Sequence, residues 1–223
     1  IRLVFGLKLL LVTLLVTLSS FTATQSASDL VNVLAGTIND DSISTGGNMP
    51  LIARPFGFNH WSVVTTLRDD RFAFSPASTQ FYGILCTHQP SWWIGDYGYF
   101  VILPTMDVPL TSFIRTPGMS LFRPDQAEYK PYYFRASSVT GPNLAQHGYV
   151  VTEMTPTNHA AALRFRFVCA GNKHVTLRND KGLTLLSDSN DASKIVLAIE
   201  ANSGGVPEGF RMFVVVDTKT VDG

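Results

Sequence analysis

Leu163-Arg164-Phe165-Arg166-Phe167-Val168-Cys169 is the most regular stretch of the chain. Side chains alternate across a strand, so Leu163, Phe165, Phe167 and Cys169 project one way and Arg164, Arg166 and Val168 the other. That alternation predicts a half-buried β-strand. Outward from it, runs rich in β-branched and aromatic residues predict strands at Tyr99–Leu103, Tyr132–Val139, Tyr149–Met154, His174–Arg178, Leu183–Ser187, Lys194–Ile199 and Arg211–Asp217. Asn179-Asp180-Lys181-Gly182 separates two of these and reads as a hairpin connection with Gly182 in the left-handed position. No long stretch carries the 3.6-residue apolar period of a helix. Strands every ~8–12 residues, punctuated by Gly, Pro, Asn and Asp, predict a sandwich or barrel. The region from Asn39 to Gln80 has weak strand signals and holds Gly46-Gly47-Asn48, Pro50, Pro55, Gly57 and Pro76. It reads as long irregular loops, which in compact domains usually carry function.

Composition excludes several classes. The 223 residues are 45% hydrophobic and 15% charged, with 15 Phe, 7 Tyr and 3 Trp, unlike a disordered chain. Seventeen Lys plus Arg balance 17 Asp plus Glu. A nucleic-acid binder or a polybasic membrane-surface protein would show a basic excess. The low charge content also argues against a helical bundle. The start at Ile1 and the stop at Gly223, just past Phe213-Val214-Val215-Val216, read as cuts in a longer protein.

Residues 1–26 read as a secretory signal peptide, an N-terminal signal helix ahead of the all-β domain. Arg2 and Lys8 are the only charges before Asp29, and Leu9 to Leu18 form a short apolar core. Ten residues are too few for a membrane span, which needs ~20. Cleavage after Ser26 puts the small residues Thr24 and Ser26 at the recognition positions; an uncleaved anchor is the alternative. Loss of Arg2 and Lys8 with the leader leaves 15 basic against 17 acidic residues, a net charge of −2. A secreted or extracellular location permits a disulfide, and Cys86 with Cys169 allow one bridge or none.

The densest cluster of chemically useful side chains is Cys86-Thr87-His88-Gln89-Pro90-Ser91-Trp92-Trp93-Ile94-Gly95-Asp96-Tyr97-Gly98-Tyr99. Sugar sites need this mixture: aromatic faces stack on the apolar face of a pyranose, and planar polar groups bind its hydroxyls. The same residues also suit a plain core, with Trp92 and Tyr99 buried and His88 a hydrogen-bonded structural histidine. Asn59-His60-Trp61-Ser62 is a shorter cluster of the same kind. Other chemistries lack their signatures. There is no phosphate-binding Gly-rich loop and no Gly-x-Ser-x-Gly nucleophile elbow. The five His (60, 88, 147, 159 and 174) show no metal-ligand spacing. Asp96, Glu128 and Glu153 stand alone, so no carboxylate couple for glycoside hydrolysis is evident. The chain supplies no catalytic residue and no metal ligand in this reading.

An ordered set of motifs resembles the N-terminal domain of glycoside hydrolase family 92, the exo-acting α-mannosidases. Val31-Asn32-Val33-Leu34-Ala35-Gly36-Thr37 resembles the family's Val-Asn-Pro-Leu-Ile-Gly-Thr opening. Gly47-Asn48-Met49-Pro50 and Arg54-Pro55-Phe56-Gly57-Phe58 are similar to Gly-Asn-Thr-x-Pro and x-Pro-Phe-Gly-Met. Thr87-His88-Gln89-Pro90-Ser91, Gly95-Asp96-Tyr97-Gly98 and Leu103-Pro104-Thr105 resemble Thr-His-x-Ser-Gly, Gly-Asp and Met-Pro-Thr. Glu128-Tyr129-Lys130-Pro131-Tyr132-Tyr133 and Glu153-Met154-Thr155-Pro156-Thr157-Asn158-His159-Ala160-Ala161 continue the series. Val33 departs from the motif's Pro and Met49 from its Thr, and Trp92-Trp93 stands where Ser-Pro-Trp is common.

The resemblance implies a large two-sheet antiparallel β-sandwich over residues 27–223, incomplete at its C-terminal end. In the family an α/α-barrel domain follows, carrying the general acid, the general base and the calcium ligands of an inverting reaction. The sandwich lends loop residues to the sugar pocket between the domains. Carried onto this sequence, the substrate-binding candidates are Trp61, against the leaving-group sugar, and Thr87, His88, Gln89, Trp92 and Asp96 on the motif loop. The expected partners are mannose-containing glycans and the protein's own α/α-barrel domain, with no nucleic acid and no stable membrane span. The alternative is a non-catalytic carbohydrate-binding or scaffold sandwich.

Overall fold

The computed structural model describes residues 26–38, 48–65, 74–89, 95–106, 120–140, 148–168, 171–179, 182–187, 193–200 and 205–220. The expected leader lies outside the described residues except for Ser26. A short N-terminal unit, Ile1–Val31, contributes one 3-10 turn at Ala27–Leu30. Among the described residues no helix is long and apolar enough to cross a membrane.

The second unit, Asn32–Gly223, is built from strands. In chain order they are β1 (His60–Val64), β2 (Gln80–Phe81), β3 (Gly83–Thr87), β4 (Phe100–Met106), β5 (Ser120–Phe122), β6 (Glu128–Lys130), β7 (Tyr133–Thr140), β8 (Gly148–Pro156), β9 (Ala161–Val168), β10 (Lys173–Arg178), β11 (Thr184–Leu185), β12 (Lys194–Ile199) and β13 (Met212–Asp217). They form a four-stranded sheet ordered β1-β3-β4-β10, a six-stranded sheet ordered β2-β5-β7-β8-β9 with β6 on β7, and a three-stranded sheet ordered β11-β12-β13. Each pairing is antiparallel. The expected β-sandwich is therefore the observed fold.

One apolar cluster holds the three sheets together. Trp61, Val63, Ile84, Cys86, Phe100 and Ile102 enter it from the four-stranded sheet, Phe81, Phe122, Phe134, Ala136 and Met154 from the six-stranded sheet, and Ile199 from the third. A second cluster, Met49, Val64, Leu85 and Val101, covers the opposite face of the four-stranded sheet. Its strands β1, β3 and β4 are accordingly buried almost throughout. A strand covered on both faces reads as a continuous apolar run and loses the period-two signal. This explains why β1 and β3 escape the alternation reading, and why Asn39–Gln80, expected to be loop, contains β1.

The strand that decides the fold class behaves as its pattern predicts. In β9, Leu163, Phe165 and Phe167 are half-buried while Arg164, Arg166 and Val168 are exposed. Across the outer face, Glu128, Arg135, Glu153 and Arg164 fall opposite one another on β6, β7, β8 and β9. The Tyr133 hydroxyl donates to Glu153 Oε1 at 2.6 Å, and Arg164 Nε donates to Glu153 Oε2 at 2.7 Å. The Tyr133 bond and the Arg164 charge hold the Glu153 carboxyl below its ordinary value, and burial with that same bond pushes the Tyr133 phenol up to about 12.

Two local expectations are corrected. Asn179–Gly182 is not a hairpin, because β10 pairs with β4 while β11 pairs with β12. Gly182 nevertheless has φ +104° and its N–H bonds the Asn179 carbonyl at 3.3 Å; residues 180–181 lie outside the described residues. The question of a disulfide rests on Cys169, which lies outside the described residues; Cys86 is a buried free thiol.

Gly83 opens β3 with φ +123°, and a Cβ there would lie 2.5 Å from the Ile102 carbonyl oxygen. Both the backbone conformation and the close approach of β4 require glycine. Gly83→Ala is expected to lower unfolding free energy by about 1–3 kcal/mol in urea titrations.

Candidate functional site

The site forms where β3 ends and the chain returns to β4. Leu85 and Thr87 share one face of β3 and Cys86 takes the other, as strand alternation dictates. Beyond Thr87 the chain leaves the sheet at His88 and Gln89 and comes back through Gly95, Asp96, Tyr97 and Gly98. The Asp96 carboxylate ties the two limbs together. It accepts from the Thr87 hydroxyl at 2.7 Å, the Tyr97 N–H at 2.7 Å and the His88 N–H at 3.3 Å. Asp96 is only 4% exposed. Burial pushes its carboxyl above the ordinary range, opposed by the bonds from Thr87, Tyr97 and His88.

Thr87 has one hydroxyl proton, and the 2.7 Å contact to a carboxylate takes it in preference to the Gln89 carbonyl at 3.0 Å. The oxygen then accepts the Gln89 N–H at 3.1 Å. Gln89 therefore enters this network through its backbone. Asp96 also acts on the core side: after burial, its charge is the second cause raising the Cys86 thiol, which is an inert apolar residue here.

His88 sits between two aromatic rings. The Phe58 ring lies 4.8 Å away, tilted by 55°, and the Tyr97 ring 5.3 Å away, stacked at 16°. Its Nδ1 is 2.8 Å from the Tyr97 carbonyl oxygen and its Nε2 is 3.0 Å from Asn59 Oδ1. Burial holds the imidazole below its ordinary value, while the Tyr97 carbonyl and the Asp96 charge work the other way. Asn59 in turn donates its Nδ2 to the His159 carbonyl at 2.8 Å.

That bond joins the cluster to an open groove of about 400 Å³ lined by Arg54, Pro156, Thr157, Asn158 and His159. Phe58 connects them again: its N–H donates to the Asn158 carbonyl at 2.7 Å and its ring lies 6.1 Å from that of His159. Beside the groove, Arg54-Pro55-Phe56-Gly57 forms a turn closed by the Gly57 N–H on the Arg54 carbonyl at 2.9 Å. Pro55 suits the second position of such a turn. The third position has φ +60° and carries Phe56, where glycine would be expected. A left-handed conformation costs a non-glycine residue about 1–2 kcal/mol. The strained residue is also fully exposed, at 107%. Residues held in sparsely populated backbone conformations cluster at active sites and ligand clamps.

The six candidates divide. Thr87, His88, Gln89 and Asp96 meet in one hydrogen-bonded unit. Trp61 lies elsewhere, 3% exposed in the main core, edge-on to Phe100 at 6.0 Å, and its indole N–H has no acceptor among the described residues. Trp92 lies outside the described residues. Arg54, Phe56, Asn59, Asn158 and His159 were not among the candidates. The Pro-Phe-Gly turn signal within Arg54-Pro55-Phe56-Gly57-Phe58 was the clue available for Phe56. Asn59 and His159 are 100 positions apart, and only the fold joins them. Among the described residues no three His, Cys, Asp or Glu side chains converge as a metal site would require.

Residues 30–220 match the glycosyl hydrolase family 92 N-terminal domain. The chain belongs to glycosyl hydrolase family 92. A solved structure of this family, the inverting mannosidase of Bacteroides thetaiotaomicron VPI-5482, superposes with a TM-score of 0.71 at 25% sequence identity. The match covers 85% of this chain and 25% of that one, so the chain spans about a quarter of the mannosidase it resembles. No curated protein matches the chain. The family 92 resemblance read from the ordered motifs is thus the family to which the chain belongs, and that family is one of glycosidases.

Trp61→Ala is expected to cost about 3–5 kcal/mol of unfolding free energy, because it empties a filled core position. Thermal or denaturant unfolding of the variant checks this.

Proposed function

We propose that this chain is the carbohydrate-contacting N-terminal domain of a secreted, calcium-dependent, inverting α-mannosidase acting on mannose-containing glycans. The observation that carries the reading is the presentation of Phe56. A phenyl ring fixed in a left-handed turn, wholly in solvent and beside a groove with Arg54, Asn158 and His159, is what stacking on a sugar face with flanking hydroxyl contacts needs. Thr87, Gln89 and Asp96 support that surface from behind through His88 and Asn59. Trp61 anchors β1, which carries Asn59 into place, and Trp92 belongs to the same motif loop.

Family membership supports the mannosidase reading, and the inverting outcome is taken from the solved relative. The apolar leader supports secretion. In this reading the general acid, the general base and the calcium ion belong to the α/α-barrel domain that the family resemblance implies as partner. What this chain's own residues do is bind and orient the glycan at the edge of the pocket.

Calorimetric titration with α-linked mannobiose tests the reading directly. Phe56→Gly relieves the left-handed strain, so folding stability should not fall, while mannoside affinity should drop by about 1–2 kcal/mol, as for loss of an aromatic anchor. Unchanged affinity in Phe56→Gly, or no heat with the native chain, would sink it. The chain by itself is expected not to hydrolyse an aryl α-mannoside, with or without added calcium; turnover above the uncatalysed rate would show that chemistry resides in these residues.

A further inference from the structure

His88 has more acceptors than a neutral ring can use. A neutral imidazole offers one N–H and one lone pair. Here Nδ1 faces the Tyr97 carbonyl, which can only accept, and Nε2 faces Asn59 Oδ1. Reversing the Asn59 amide would resolve the conflict only by giving up its bond to His159. Its Nδ2 donates to the His159 carbonyl, and reversing the amide would set two oxygens against each other. With both ring nitrogens facing oxygen, the arrangement fits an imidazolium that donates twice. The surroundings fit a cation as well. The Phe58 and Tyr97 rings cover the ring at 4.8 and 5.3 Å, within cation–π range.

We propose that His88 and Asn59 form a protonation-dependent clamp that sets the shape of the groove. With the ring charged, Nε2–H holds Asn59 Oδ1, Asn59 Nδ2–H holds the His159 carbonyl, and the 157–160 turn is fixed at the groove wall. That turn is otherwise closed on itself by Thr157 and Ala160. With the ring neutral, Nδ1 keeps its proton for Tyr97 and the Nε2 lone pair opposes Asn59 Oδ1. The amide then reverses to donate to Nε2 and gives up His159. The bistable element is one buried side-chain amide, and the groove residues Asn158 and His159 follow it.

Among the described residues, four titratable groups face the clamp. Asp96 is bonded to the His88 N–H and favours the charged ring. The Tyr97 phenol ring stacks on it. His60, on β1, is coupled to His88 by mutual repulsion, and burial already holds His60 low. His159 stands across Phe58. Burial of His88 sets the transition on the acid side of the ordinary histidine value, so the clamp is closed in acid and opens as pH rises. Its bearing on glycan binding rests on the function proposed above; the clamp itself does not.

Long-range 15N–1H spectra of the histidine rings in the full chain, between about pH 5 and 8, test it. His88 should gain its second ring proton as pH falls, and the protection factor of the Phe58 amide, taken relative to the intrinsic exchange rate at each pH, should rise over the same interval. Asn59→Leu should lower the proton affinity of His88 about tenfold, and the near-isosteric Asn59→Asp should raise it about tenfold. An unchanged His88 titration in both variants overturns the clamp, as does ring protonation with no change at Phe58. Failure of the glycan reading looks different: no mannoside binding at any pH while His88 and Phe58 still titrate together.

Discussion

Burial of β1, β3 and β4 on both faces of the four-stranded sheet is the constraint from which the rest of the molecule follows. Ile52, Trp61, Cys86 and Phe100 lie in one row across it, by an Ile52–Trp61 bridge and the β1, β3 and β4 registers. That row faces the six-stranded sheet, while Leu85 and Val101 face Met49 and Val64. Strands buried on both faces leave no room for a solvated polar site along their length. Polar chemistry must collect where the strands end. The Asp96 loop, the Asn59 entry to β1 and the Pro156–Ala160 turn after β8 meet there.

Charge placement follows the same logic. Asp96 is the buried carboxylate of that end, and three hydrogen bonds from Thr87, His88 and Tyr97 make its burial tolerable. All three donors come from within nine positions of it, so the loop is stabilised locally before any long-range contact is made. Glu153 and Arg164 pair on the exposed outer face of the six-stranded sheet, where side chains of opposite sign meet across strands. Such exposed pairs contribute little, about 0–1 kcal/mol. The same residue classes thus act as an internal brace in one place and as surface complementarity in the other.

The legibility of the sequence tracks this distribution of solvent. Strands with one wet face, such as β9 and β13, alternate and are visible from residue types alone. β12 is visible through its β-branched content, to the residue. β1 and β3 are buried on both sides and carry no period to detect. β2, β5 and β6 are two or three residues long, too short for a pattern. The motif loop was legible as a cluster because Thr87, His88, Gln89 and Asp96 are neighbours in the chain. The groove was not, because Arg54 and His159 meet only through the packing of distant loops.

Trp61 and Phe56 show why residue type alone misplaces a site. Trp is the stronger candidate for stacking on a sugar, yet Trp61 sits at the centre of a strand row and its area is used by the core. Phe is the commonest aromatic in this chain and the least distinctive. Phe56 is singled out by its backbone alone: proline before it and glycine after it close a turn whose third residue must adopt positive φ. A glycine there would relax the turn, and an asparagine would fit it. Keeping a phenyl ring at that position sacrifices stability for the placement of one apolar surface in water. A sacrifice of that kind is intelligible when something outside this chain's own core meets the ring.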